Sequence, residues 1–324
     1  MARSDATEER ERLSGLARIA FAGLIWGTIP LALRAADGAS VVKVFFRVAC
    51  AAVVVWVWVL ARGGWSELRT FDAARWRQLV VQGVILTLNW FLFLTALDLT
   101  DVATAELLAY TAPVFVAVLA PVITGERFDP RIVLPLALAL GGITLILVQQ
   151  GLAIEDGRAM LGAGLAFASA LTYATLLLRA KRIIRGVSSG ALMLVEYTSA
   201  AFVLAPFVVL AYARGDVPSS ARAYVALVTL GVVHTAISGF IFLGGLRRVR
   251  TDHAAVLTYV EPVSAVLFAA LFLGESVTPL TLLGGAGVVL GGVLVARIEP
   301  TPGIEVPEAV IAERPIQGGP HERT

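Results

Sequence analysis

Runs of about 20 apolar residues recur along this chain, and each is long enough, at about 1.5 Å per helical residue, to cross a hydrocarbon layer about 30 Å thick. Ten are read, at residues 17–36, 40–61, 78–97, 102–124, 132–150, 159–179, 190–213, 223–246, 253–274 and 277–297. Lipid offers no water to backbone amides, so each run must close its own hydrogen bonds as a helix; a closed barrel would need alternating segments of about ten residues instead. Composition agrees, with 58% of 324 residues hydrophobic and 15% charged, a balance soluble chains seldom show. The reading is an all-α membrane protein with ten transmembrane helices, the lipid bilayer as its surroundings and only short connections.

Charge placement sets the expected orientation. With the N-terminus inside, the inner segments carry 20 of the 26 Lys and Arg residues, whereas Arg34, Arg158, Arg214 and Arg222 fall outside. By the positive-inside rule both termini are expected to be cytoplasmic, in a cell (plasma or inner) membrane. The net charge of +2 is spread over loops rather than gathered in a patch, so no nucleic-acid partner is expected. Residues 1–16 read as an N-terminal tail without a cleavable signal pattern. Residues 298–324, rich in Pro and charge, read as a disordered tail. Cys50 is the sole cysteine, which rules out an internal disulfide.

The chain also repeats itself. Sliding it by 149 residues aligns Phe91–Val148 with Phe240–Arg297 without a gap, with 17 of 58 positions identical. Apolar composition inflates matches among Leu, Val and Ala, but it does not place Tyr110/Tyr259, Pro113/Pro262 and the Gly125-Glu126/Gly274-Glu275 pairs in register. A weaker match pairs "IWGT" (25–28) with "TYAT" (172–175). The halves are therefore read as residues 17–150 and 151–297, five helices each. Five is odd, so the second half must enter the membrane from the opposite side, the inverted repeat of a secondary transporter.

The endings "PVFVAVLAPVITGE" and "EPVSAVLFAALFLGE", with "LIWGTIP" in the first helix and "FFR" in the second, resemble the EamA-type branch of the drug/metabolite transporter superfamily over roughly residues 17–297. The resemblance implies a cavity enclosed by helices one to four and six to nine, with five and ten peripheral. It also implies export or exchange of small metabolites, often amino acids, without ATP hydrolysis or any cofactor. In that family an Arg after aromatic residues is common in the second helix, often as a structural element.

Polar groups at membrane depth each need a reason, because a lipid-facing charge is costly. Arg47 lies roughly 10 Å into the second helix, with Lys43 one turn earlier; Lys43 is expected to snorkel outward, whereas Arg47 could hold a substrate carboxylate bidentately. Glu261, just before Pro262, falls near the midplane and could bind an ammonium or take up a proton. His234 could relay protons or simply pack. Trp26, Asn89, Tyr110, Tyr173 and Tyr259 complete the candidate substrate-binding set, while Glu106 and the Glu196–Tyr197 pair rank second. Glu126 and Glu275 read as solvated boundary residues bracing loops. Gly287 and Gly291 form a small-xxx-small stripe that suits either packing within the chain or a homodimer.

Other chemistries are poorly represented. "GVSSG" (186–190) matches Gly-x-Ser-x-Gly and would make Ser188 the nucleophile of an intramembrane hydrolase, but it lies in a basic loop without a strand-to-helix elbow. Phosphate-loop and His-Glu-x-x-His motifs are absent, so neither ATP-driven transport nor a metal site is expected. A pore is disfavoured because the halves repeat no ring of selective ligands.

Overall fold

The computed structural model describes residues 2–149, 156–274 and 277–298. Glu275, the junction of the two halves at 150–151 and the tail from 299 onward lie outside the described residues. Among the described residues, ten helices are long and apolar enough to cross a membrane: Thr7–Arg34, Ser40–Ala61, Ala73–Leu99, Val102–Ile123, Pro130–Val148, Gly157–Ile183, Ser189–Ala213, Ala221–Leu246, Thr251–Leu273 and Pro279–Arg297. They are called the first to tenth helix below. Side chains facing outward are apolar, among them Val122, Phe202 and Leu271, so the surface matches lipid rather than water.

Polar residues in the loops set where helices begin. Asp72, Asp101, Asp156, Ser188, Ser220 and Thr278 each accept a hydrogen bond from a backbone N–H three residues on, satisfying groups that a helix leaves open at its start. Ser188 is thus a helix cap, with its own N–H donated to Glu67 at 2.7 Å. Helical structure begins at Ala2 rather than near residue 17. Glu8 and Arg12 stand at helix-favouring i,i+4 spacing, and Gly15 lets this extension pack closely on Gly245, Arg248 and Val249.

Helix neighbours follow a single rule. The second lies against the seventh, the fourth against the ninth and the fifth along the tenth; third with sixth is matched by eighth with first, and third with seventh by eighth with second. Advancing every helix by five leaves these pairings unchanged, as two copies of one five-helix unit related by a twofold require. Direction is visible in the tightest pair. Gly284 meets Gly142 and Ile146, while Gly291 meets Pro135 and Ala139, so the fifth and tenth helices run antiparallel and the repeats are inverted. Gly287 and Gly291 therefore serve contact within the chain: a Cβ on Gly291 would lie 2.7 Å from the Pro135 carbonyl oxygen.

The end that carries most of the arginines is tied by cations on open helix carbonyls. Lys181 Nζ donates to Leu246 O and Val249 O, both at 2.6 Å. Arg247 reaches Ile184 O and Val187 O, and Arg12 reaches Ala296 O and Ile298 O. At the opposite end Asp37 accepts from Ser219, whose hydrogen bonds hold the Asp37 carboxyl below the usual carboxylate range.

Candidate functional site

The repeated Tyr-x-x-Pro marks a break. The fourth helix is two segments, Val102–Ala109 and Ala112–Ile123, and the ninth is two segments, Thr251–Leu257 and Val260–Leu273. Proline has no N–H to return to the carbonyl four residues earlier, so Pro113 and Pro262 each loosen the turn that precedes them. The two breaks meet. Tyr259 Oη donates to the Tyr110 carbonyl, and the two rings lie 6.1 Å apart. Helices discontinuous at matching positions in both repeats mark where transporters bind their cargo, because polar backbone is tolerated there only around a cavity.

Arg47 faces this region from the second helix. Its Nε donates to Thr235 Oγ1 at 2.8 Å and its guanidinium lies 4.9 Å from the Trp90 ring centroid, a cation–π contact that offsets part of the cost of burial. Thr235 belongs to a π-helical stretch, Val232–Ile237, inside the eighth helix. A π turn shifts the carbonyl register, and two side chains answer it: Thr235 Oγ1 donates to Leu230 O at 2.9 Å and His234 Nδ1 lies 3.3 Å from Thr229 O. Gly231, just before, admits the second helix so closely that a Cβ there would stand 2.9 Å from the Arg47 carbonyl oxygen.

The first helix breaks in the same layer, between Trp26 and Ile29. Trp26 Nε1 donates to His234 O and Ser238 Oγ at 3.0 and 2.8 Å. Thr28 Oγ1 lies 2.7 Å from His234 Nε2 and donates to Ile25 O. His234 is thus buried and engaged at both ring nitrogens. A neutral imidazole donates through only one of them, so either the Thr229 contact or the Thr28 contact changes character with its protonation.

Glu261 opens the second segment of the ninth helix. Its carboxylate is half-buried and has no hydrogen bond or ion pair among the described residues. It stands within electrostatic reach of Arg47, Glu106, Tyr110 and Tyr173. The opposite charges of Arg47 and Glu261 therefore share one region without closing on each other.

The structure brings Arg47, Tyr110, Tyr173, Tyr259 and Glu261 together, with Trp26 and His234 in the adjoining network. Asn89 is placed otherwise. Buried, it donates to Ser169 O and Thr172 Oγ1 at 2.7 and 3.1 Å and so clamps the third helix to the sixth. Glu196 is buried on the seventh helix beside Tyr197, whose hydroxyl donates to Thr235 O at 3.4 Å. Sequence reasoning missed Thr235, Trp90, Thr28 and Ser238. Their adjacency to Arg47 and His234 is purely tertiary, although "NW" at 89–90 does pair an amide with an indole at membrane depth.

Glu126 differs from its expected role. It is buried, not solvated, and its two oxygens accept from the Thr251 backbone N–H and Oγ1 at 2.9 and 2.8 Å. The ninth helix begins after Arg250, which supplies no side-chain cap, so its start is capped by a residue of the other repeat. Arg250 binds Asp252 at 2.7 Å and the Arg127 carbonyl at 2.8 Å. Burial works against its charge, but the Asp252 hydrogen bonds and the nearby Glu126 and Asp129 outweigh it and raise its pKa. Asp129 is held below the usual carboxylate range by Arg131.

Comparison with known proteins agrees with this architecture. A solved crystal structure superposes with a TM-score of 0.74 over 85% of this chain and 94% of its own, at 21% identity. An uncharacterized transporter of Archaeoglobus fulgidus is 28% identical over 87% of this chain and 96% of its own length. A probable terminal-alkyne amino-acid exporter of Streptantibioticus cattleyicolor is 30% identical over 60% of this chain and 64% of its own. The EamA-like transporter family matches twice, at residues 13–148 and 160–297, one match for each five-helix half. Repeated broken helices, a charged centre and this double match identify the chain as a member of the EamA-like transporter family, a multi-pass membrane transporter and not an enzyme.

Proposed function

We propose that the protein is a secondary transporter that exports or exchanges a small zwitterion of the amino-acid class by alternating access. The observation that carries this reading is the pair of opposite charges, Arg47 and an unpartnered Glu261, where the broken fourth and ninth helices cross. A carboxylate suits the guanidinium fork and an ammonium suits Glu261. Tyr110 and Tyr173 stand within electrostatic reach of Glu261. The amino-acid exporter among the relatives supports the same cargo class. The protein sits in the cell membrane with both termini cytoplasmic, a placement supported by the crowding of arginines at one end.

The test is a metabolite screen of cells with and without the protein, followed by counterflow of each hit in proteoliposomes. Zwitterionic amino acids are expected among the effluxed compounds. Arg47→Gln and Glu261→Gln should each lower their flux about tenfold or more, since a charge-assisted hydrogen bond contributes about 1.5–3 kcal/mol. Equal abundance with unchanged flux in both variants would remove these residues from the site.

A further inference from the structure

At the arginine-rich end, away from the transport site, an open cavity of about 550 Å³ lies between the third and sixth helices. Its lining includes Asp72, Arg75, Arg77, Gln78 and Arg179. Three arginines line it, and none forms a salt bridge among the described residues. The one carboxylate, Asp72, accepts the Arg75 backbone N–H at 2.7 Å as the cap of the third helix. Neutral acceptors hold two of the guanidiniums, Arg75 and Arg179, without cancelling their charge. Arg179 donates to Gln78 O at 3.2 Å and Gln82 Oε1 at 3.3 Å, and Arg75 to Gln78 Oε1 at 3.5 Å. The start of the third helix adds its own positive potential. An anion with several oxygens, such as a phosphate, complements this arrangement.

Two neighbouring features indicate that the phosphate belongs to a lipid. The cavity lies at the first turn of the third helix, where the span meets water, and the same turn carries the exposed indole of Trp76, as in an interfacial aromatic belt. From Arg77, an exposed apolar stripe of Val81, Val84, Leu88 and Phe91 runs down the third helix at helical spacing, a track for an acyl chain. We propose that this cavity is a headgroup site for an anionic phospholipid, with Arg75, Arg77 and Arg179 on the phosphate and an acyl chain along that stripe. The lipid bridges the third and sixth helices at the end opposite the one where Arg158 meets Asp98.

Native mass spectrometry of the purified full chain tests this, with phosphatidylglycerol and phosphatidylcholine of matched acyl chains as probes. Phosphatidylglycerol is expected to be retained preferentially. The triple variant Arg75→Gln, Arg77→Gln, Arg179→Gln should bind it on the order of a hundredfold more weakly, from about fivefold per arginine near a membrane surface. A control triple variant at the same end but outside the cavity, Arg62→Gln, Arg69→Gln, Arg127→Gln, should bind as wild type. Replacing the three cavity arginines by Lys should restore most of the binding. No preference for phosphatidylglycerol, or equal loss in the control, would overturn the site. Equal loss in the Lys variant would assign the effect to packing and overturn it too. Full displacement of the lipid by millimolar inorganic phosphate would mark a free-anion site and overturn the lipid assignment.

Discussion

Arg47 shows how a charge is kept at membrane depth without being neutralised. Thr235 takes its Nε and Trp90 lies against its plane, which orients the guanidinium and leaves its terminal nitrogens without a hydrogen bond among the described residues. Lysine keeps the charge but has neither the fork nor the plane. Arg47→Lys is therefore expected to lose about tenfold in counterflow, and Thr235→Val, which frees the fork to turn, a few-fold. Full activity in Arg47→Lys would mean that charge alone suffices. Arg47 and Glu261 were legible as single costly residues in apolar runs, because depth can be counted from sequence. Thr235 and Trp90 were not, since a partner on another helix leaves no mark on local spacing. Glu126 misled for the same reason: a Gly-Glu at a helix end looks solvated until the second repeat is folded over it.

Among the elements, the ten spans followed from apolar length, whereas the breaks of the fourth and ninth helices, each beside a proline, emerged with the structure. The break in the first helix and the π stretch in the eighth arise where those two helices meet, so they belong to packing rather than to propensity. Their counterparts, the sixth and third helices, are continuous, which makes the two halves unequal exactly where they carry the polar network of Trp26, Thr28 and His234. The start of the ninth helix depends on Glu126. Glu126→Ala removes both acceptors of Thr251 and is expected to destabilise the protein by about 1–3 kcal/mol, read as a lower thermal unfolding midpoint in detergent. Glu126→Gln keeps one acceptor and should fall between. An unchanged midpoint in Glu126→Ala would deny the cross-repeat cap any structural weight.

For the whole molecule, inversion requires that equivalent points in the two repeats face opposite compartments. In a Cys50→Ala background, a cysteine at Arg127 is expected to be reached by a membrane-impermeant thiol reagent only in opened cells. One at Thr278, after the equivalent helix of the second repeat, should be reached in intact cells. Labelling of both from the same side would contradict the fold. The first segment of the ninth helix, at the arginine-rich end, is buried throughout, whereas its second segment is largely accessible. The ninth helix is therefore packed most closely at the arginine-rich end.

The contact between Tyr259 and Tyr110 has a consequence of its own. Equivalent residues of two repeats can touch only across the axis that relates them, and a single donated proton cannot be shared evenly there. The bond runs from Tyr259 to the Tyr110 carbonyl, with Tyr259 fully buried and Tyr110 partly accessible, so it acts as a two-valued marker of handedness. If the repeats exchange conformations during the cycle, the proton must be donated the other way, from Tyr110 to Tyr259. Tyr259→Phe should then disfavour the arrangement seen here and Tyr110→Phe the exchanged one, with opposite shifts in the labelling of cysteines placed along the two entrances. Shifts of the same sign would show that the marker does not flip.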